Sequence, residues 1–130
     1  MIYRDVFDAA VKLLCEDATH GYVEDYAERA PYLLATLDME CYAADRAYRQ
    51  SHGLSEQAPP TATCVALEDE FRLSTAFFPA ALYYLSAMLA MDENEVLGER
   101  FFELYSDSVS SILASLPATA SKIVDSYHLI

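Results

Sequence analysis

Four carboxylates, Glu95, Glu99, Glu103 and Asp107, follow one another at a spacing of four. On a helix that spacing sets them along one face. A row of this kind can hold a metal, repel a polyanion or simply face water. Helical di-iron sites draw Glu-x-x-His pairs from facing helices, and the chain contains none. Helical bundles that cleave nucleotides hold magnesium with carboxylates three residues apart. Here only Asp5 with Asp8, Asp25 with Glu28 and Asp92 with Glu95 have that spacing, each at or near a helix start. Like charges four apart on a helix cost a few tenths of a kcal/mol, about 0.2–0.5 per pair. A solvated face tolerates that penalty, so the row is read as an acidic surface. No metal or cofactor is expected.

Nucleophilic chemistry finds no better footing. Asp17 and His20 stand three apart, which the end of a helix explains as well as a ligand pair does. His20, His52 and His128 lie in three different regions, against a histidine metal site. Of the three cysteines, Cys15 and Cys41 fall among apolar helical positions, where a free thiol behaves as a small hydrophobe. Cys64 lies just after the 49–63 loop, where His52 could approach it, yet nothing orients the pair. The chain is therefore read as a protein that is not an enzyme.

These residues need elements to carry them, and composition says which. The 130 residues include only three Gly, with 54% apolar side chains, ten Tyr, six Phe and no Trp. Scarce glycine with abundant Ala and Leu favours helices over a turn-rich β fold. The net charge of −13 rests on 21 acidic and eight basic residues. No two basic residues are adjacent, which argues against phosphate-backbone binding and against anionic membranes. Three widely spaced cysteines make no disulfide framework, so a reducing compartment is expected. Met1-Ile2-Tyr3-Arg4-Asp5 lacks the basic start of a signal peptide. The longest apolar run is about fifteen residues, short of the roughly 20 that span a bilayer.

The periodicity predicts four main helices. The first spans Tyr3 to Glu16 on Val6, Phe7, Ala10, Leu13 and Leu14, ending at His20-Gly21. The second runs from about Glu24 to Tyr48, with Tyr26, Ala30, Leu33, Leu34, Leu37, Cys41, Ala44 and Tyr48 as its stripe. Pro31 lies inside it and either kinks it or marks its first turn; one helix kinked there is the reading taken. Arg49 to Thr63 is a long loop with Gly53 and Pro59-Pro60. Such loops are uncommon in compact domains and tend to be functional or disordered. Cys64 to Leu67 is a short apolar run, extended or the start of a turn through Phe71. The third helix begins near Thr75 and ends at Met91. It is apolar on all sides and must be wrapped by others. Asp92 or Asn94 caps the fourth, whose inward stripe is Val96, Leu97, Phe101, Leu104, Tyr105, Val109, Ile112 and Leu113; Pro117 closes it. Tyr83, Tyr84 and Tyr105 need hydroxyl partners if buried.

The expected fold is thus all-α: a four-helix bundle over residues 1–117 and an extended tail over 118–130. The tail residues Ile123, Val124, Tyr127, Leu129 and Ile130 are too apolar for an idle solvated end. They either fold back on the bundle or dock on a partner.

Several segments together carry a resemblance. They are Tyr22-Val23-Glu24-Asp25-Tyr26-Ala27-Glu28-Arg29-Ala30-Pro31-Tyr32-Leu33-Leu34, Asp69-Glu70-Phe71-Arg72-Leu73, and Phe78-Pro79-Ala80-Ala81-Leu82-Tyr83-Tyr84-Leu85-Ser86-Ala87-Met88-Leu89 before the Asp92-Glu93-Asn94 break. Phe101-Phe102-Glu103-Leu104-Tyr105 and Ile123-Val124-Asp125-Ser126-Tyr127 complete the set. This order resembles the small neck proteins of tailed bacteriophages, the head-tail connector (neck adaptor, head-completion) family of phages and prophages. The resemblance implies a structural virion protein, made in the bacterial cytoplasm and placed in the neck. It implies a homo-oligomeric ring, a dodecamer under the portal, joining portal to tail around the DNA channel. It implies a chain that can stay monomeric until a portal is present, and a terminal arm, here the tail, that grips the portal. No sequence-specific nucleic acid and no membrane enter this reading. The rival reading is a small acidic regulator or DNA-mimic inhibitor of a basic protein; a metal-dependent helical hydrolase stands third.

Overall fold

The computed structural model describes residues 1–14 and 22–117. They are all-α, with five α-helices where the periodicity predicts four: α1 (Tyr3–Leu14), α2 (Tyr22–Glu40), α3 (Tyr42–Ser51), α4 (Phe78–Ala90) and α5 (Glu95–Ala114). A 3-10 turn, Thr75–Phe77, leads into α4. Among the described residues no helix is long and apolar enough to cross a membrane. The tail, Cys15, Asp17 and His20 lie outside the described residues.

α4 is the centre. Ala80, Ala81, Tyr84, Leu85, Ser86, Ala87, Leu89 and Ala90 are all buried, which takes in every side of the helix. α5, α1 and α2 pack around it, as an apolar helix requires. α1 contributes Tyr3, Val6, Phe7 and Ala10, and α2 contributes Tyr26, Ala30, Leu34 and Leu37 to the same core.

The fifth helix arises because the second predicted helix breaks at Cys41 and not at Pro31. α2 passes through Pro31 without interruption. Cys41 takes φ −92° and ψ 0°, the bridge region between helix and strand. The hydrogen bonds carry across it: Cys41 N–H donates to the Leu37 carbonyl at 2.9 Å and Asp45 N–H to the Cys41 carbonyl at 2.8 Å. The chain therefore turns with little loss of pairing, and the turn brings α3 against α5.

Helix α3 ends in a Schellman motif. Leu54 N–H donates to the Arg49 carbonyl at 2.8 Å and Gly53 N–H to the Gln50 carbonyl at 3.4 Å. Gly53 has φ +66°, the left-handed conformation that favours glycine at this position. The predicted loop accordingly starts at His52 and not at Arg49, and the connection to the 3-10 turn runs on to residue 74.

The connection is tied to the helices along its length. Val65 N–H donates to the Pro31 carbonyl at 3.1 Å, and a turn closes where Asp69 N–H meets the Ala66 carbonyl at 3.0 Å. Tyr3 N–H and Arg4 N–H donate to the carbonyls of Asp69 and Leu67, at 3.0 and 2.8 Å. Those two loop carbonyls satisfy donors that the first turn of any helix leaves open. Ile2 and Glu70 form an isolated antiparallel bridge, and Phe71 and Leu73 are buried in the core.

Helices α4 and α5 form a tight hairpin. Asn94 caps α5, its Oδ1 accepting from Leu97 N–H at 3.1 Å. Gly98 sits where a Cβ would lie 2.9 Å from Met91 Sδ and 3.0 Å from Met91 Cα. Close approach, not flexibility, explains this glycine. Phe101 and Tyr105 face inward as predicted, but Val96 is 79% exposed. It lies in the first turn, off the stripe that Gly98, Phe101 and Tyr105 define.

Candidate functional site

A cleft of about 890 Å³ lies between the 52–74 connection and the helices beneath it. Its floor holds three polar side chains that the sequence pattern does not single out. α1 supplies Tyr3, α2 supplies Asp38 and the connection supplies Arg72. The Tyr3 hydroxyl donates to Asp38 Oδ2 at 2.5 Å. Asp38 is only 2% exposed. Its Oδ1 and the Arg72 Nη2 are both buried and without a hydrogen-bond partner. Burial pushes the Asp38 carboxyl up to about 6, against the opposing pull of the Tyr3 hydroxyl and the Arg72 guanidinium. Burial, with the hydrogen bond to Asp38, also drives the Tyr3 phenol well above its ordinary range.

Seven residues further along, on α3, a second buried aspartate braces the cleft wall. Asp45 Oδ1 accepts from Ser74 N–H at 2.9 Å and from Ser74 Oγ at 2.6 Å. Asp45 Oδ2 accepts from Arg49 Nε at 2.8 Å. Arg49 then donates to the carbonyls of Ser55, at 3.1 Å, and Arg72, at 3.2 Å. One ion pair thus holds both ends of the connection to α3. Unlike Asp38, Asp45 has both oxygens engaged. Tyr42 reaches the first part of the same segment, its hydroxyl donating to the Gln57 carbonyl at 3.2 Å.

The aromatic core has its own polar node on the far side of α2. Cys41 Sγ lies 3.6 Å from the Tyr105 hydroxyl. Tyr105 meets Tyr84 edge-on at 5.1 Å. Burial pushes the Cys41 thiol up to about 11, so it stays protonated at neutral pH. Burial, the neighbouring Cys41 and Glu40 raise Tyr105; burial and Glu40 raise Tyr84. Tyr83 is half-buried and stacks on Phe101.

The residues singled out from sequence fall elsewhere. Glu95, Glu99, Glu103 and Asp107 are all exposed on α5. Val96 and Phe102, 79% and 37% exposed, share this side, since each lies seven residues from one of those glutamates. The predicted docking residues Ile123, Val124, Tyr127, Leu129 and Ile130 lie outside the described residues. His52 does not meet Cys64; it stacks on Tyr48 with ring centres 4.0 Å apart. Cys64 is exposed and Cys41 is buried. Among the described residues no three His, Cys, Asp or Glu side chains group closely enough to hold a metal ion.

Asp38 and Asp45 were missed although a signal existed. They stand seven residues apart, four after Leu34 and four after Cys41 respectively, so both fall on the apolar stripe. A carboxylate on a buried stripe marks a polar contact inside the fold. Searches against protein-family models, curated proteins and solved structures return no match to this chain.

Proposed function

We propose that this chain is a structural neck protein of a tailed phage or prophage, which joins portal to tail as a subunit of a ring around the DNA channel. The observation that carries the reading is the outer side of α5. Four exposed carboxylates run along it, with exposed Val96 and Phe102 among them. Large apolar side chains left open beside a charged row suit a surface that meets another protein. In this reading the row faces the channel, where its charge keeps the duplex from sticking. Val96 and Phe102 sit at the seam with the next subunit. A closed ring needs two different complementary patches on each subunit, and this seam supplies one of them. The 118–130 tail serves as the arm that grips the portal. The resemblance of the Tyr22 to Tyr127 motifs to connector proteins supports the same reading, as does a net charge of −13 without clustered basic residues.

The test is a search for a portal gene beside the gene of this chain, then co-expression of the two proteins and purification on a tag carried by the portal alone. The expected result is co-purification in a fixed ratio, lost when residues 118–130 are deleted. A portal that returns without the chain refutes the assignment. An untagged chain that instead elutes with a basic DNA-binding protein, and is displaced by duplex DNA, places it with acidic inhibitors.

A further inference from the structure

Two polar atoms on the floor of the cleft find no partner within the chain: Asp38 Oδ1 and Arg72 Nη2. Orphaned buried groups are few in native proteins and destabilising where they occur. One is an acceptor and the other a donor, yet they do not pair directly. A ligand that satisfied both would offer a donor or a cation to Asp38 and an acceptor to Arg72. A peptide carries both, in its carbonyls and in its N–H groups or a basic side chain. The rim favours the basic side chain, because Asp69 and Glu70 stand exposed at the cleft's edge. The lining also includes the apolar side chains Leu54, Pro59 and Pro60. A volume of about 890 Å³ falls in the upper part of the range of ligand pockets, about 300–1,000 Å³.

We propose that the cleft binds an extended peptide segment of a partner protein through a lysine or arginine. Its cation lies against Asp38 and the rim carboxylates Asp69 and Glu70, and a backbone carbonyl accepts from Arg72. The Asp45–Arg49–Ser74 cluster keeps the connection in place, so the site is preorganised. It is built within one chain and therefore stands whether or not the chain forms a ring.

The test uses the full chain, labelled with ¹⁵N and titrated with a blocked pentapeptide, acetyl-Gly-Val-Lys-Val-Gly-amide. Control peptides replace the lysine with glutamate or norleucine, and phosphate alone is a further control. The lysine peptide is expected to shift the amides of residues 69–74 and the Arg72 side-chain resonance to saturation, with the controls giving none of this. Asp38→Asn removes a charge-assisted contact and should weaken binding roughly tenfold or more. Glu70→Gln, at an exposed position that leaves folding intact, should weaken it by a smaller factor. The proposal is overturned if the glutamate or norleucine peptide binds equally, if shifts appear on α5 instead, or if phosphate alone reproduces them. It is also overturned if neither variant changes the affinity, or if saturating peptide leaves the spectrum unmoved.

Discussion

Asp38 gives the most exacting prediction, because its neighbourhood fixes both the sign and the size of the effect. The carboxyl is 2% exposed and titrates near 6 instead of 3.8. Tyr3 from α1, Arg72 from the connection and Asp45 from α3 are the charged or titratable groups acting on it. A folded-state pKa above the unfolded value means that the native protein holds its proton longer. The stability from this group is then complete below about pH 4 and is lost as pH rises through 6. Two units at about 1.4 kcal/mol each make the loss roughly 3 kcal/mol. Asp38→Asn keeps the shape and cannot ionise, so it should escape that loss. Part of the gain is cancelled, since a neutral acceptor bonds the Tyr3 hydroxyl less strongly, by about 1 kcal/mol. The variant should therefore match or trail the natural protein near pH 4 and exceed it by about 2 kcal/mol at pH 7.5. Urea unfolding of both proteins across pH 4 to 8, followed by helical circular dichroism, reads the difference. A difference that stays flat with pH, or that turns against the variant as pH rises, refutes the reasoning.

Three further outcomes follow from other contacts. Asp45→Ala strips the acceptor from Ser74 N–H, Ser74 Oγ and Arg49 Nε and leaves the largely buried Arg49 guanidinium without its counter-charge; unfolding free energy should fall by about 3 kcal/mol or more. The same variant should speed amide exchange along residues 52–74 ahead of the helices. Gly98→Ala gains about 1 kcal/mol of helix propensity, but its methyl meets the Met91 backbone, so thermal melting should show a net loss. Maleimide at pH 7 should label Cys64 rapidly and Cys41 only as the protein unfolds, which peptide mass spectrometry distinguishes.

The helices with the strongest apolar pattern, α1 along one stripe and α4 on every side, were legible from the residues alone. α1 and α4 begin where the apolar pattern begins, and Asn94 caps α5 as its side chain allows. The break at Cys41 was not legible, since Pro31 carries the stronger sequence signal for a bend. Proline removes one donor, and a helix held by Tyr26, Ala30, Leu34 and Leu37 against the core outlasts that loss. Cys41 turns the chain while keeping its hydrogen bonds, so no Gly or Pro was needed to mark the place. Val96 was misplaced because a first-turn residue can satisfy the spacing rule and still face water. The cleft was hidden for a different reason. Its polar floor joins residues 3, 38 and 72, and only the path of the 52–74 connection brings them together. The acidic row was legible as a row, while its purpose depends on what faces it.

Assembly on a portal is the most direct test of the proposed function. Electron micrographs of the chain mixed with its cognate portal should show an added annulus carrying the portal's symmetry, with α5 toward the central opening. A portal that remains bare at saturating concentrations of the chain would contradict the account.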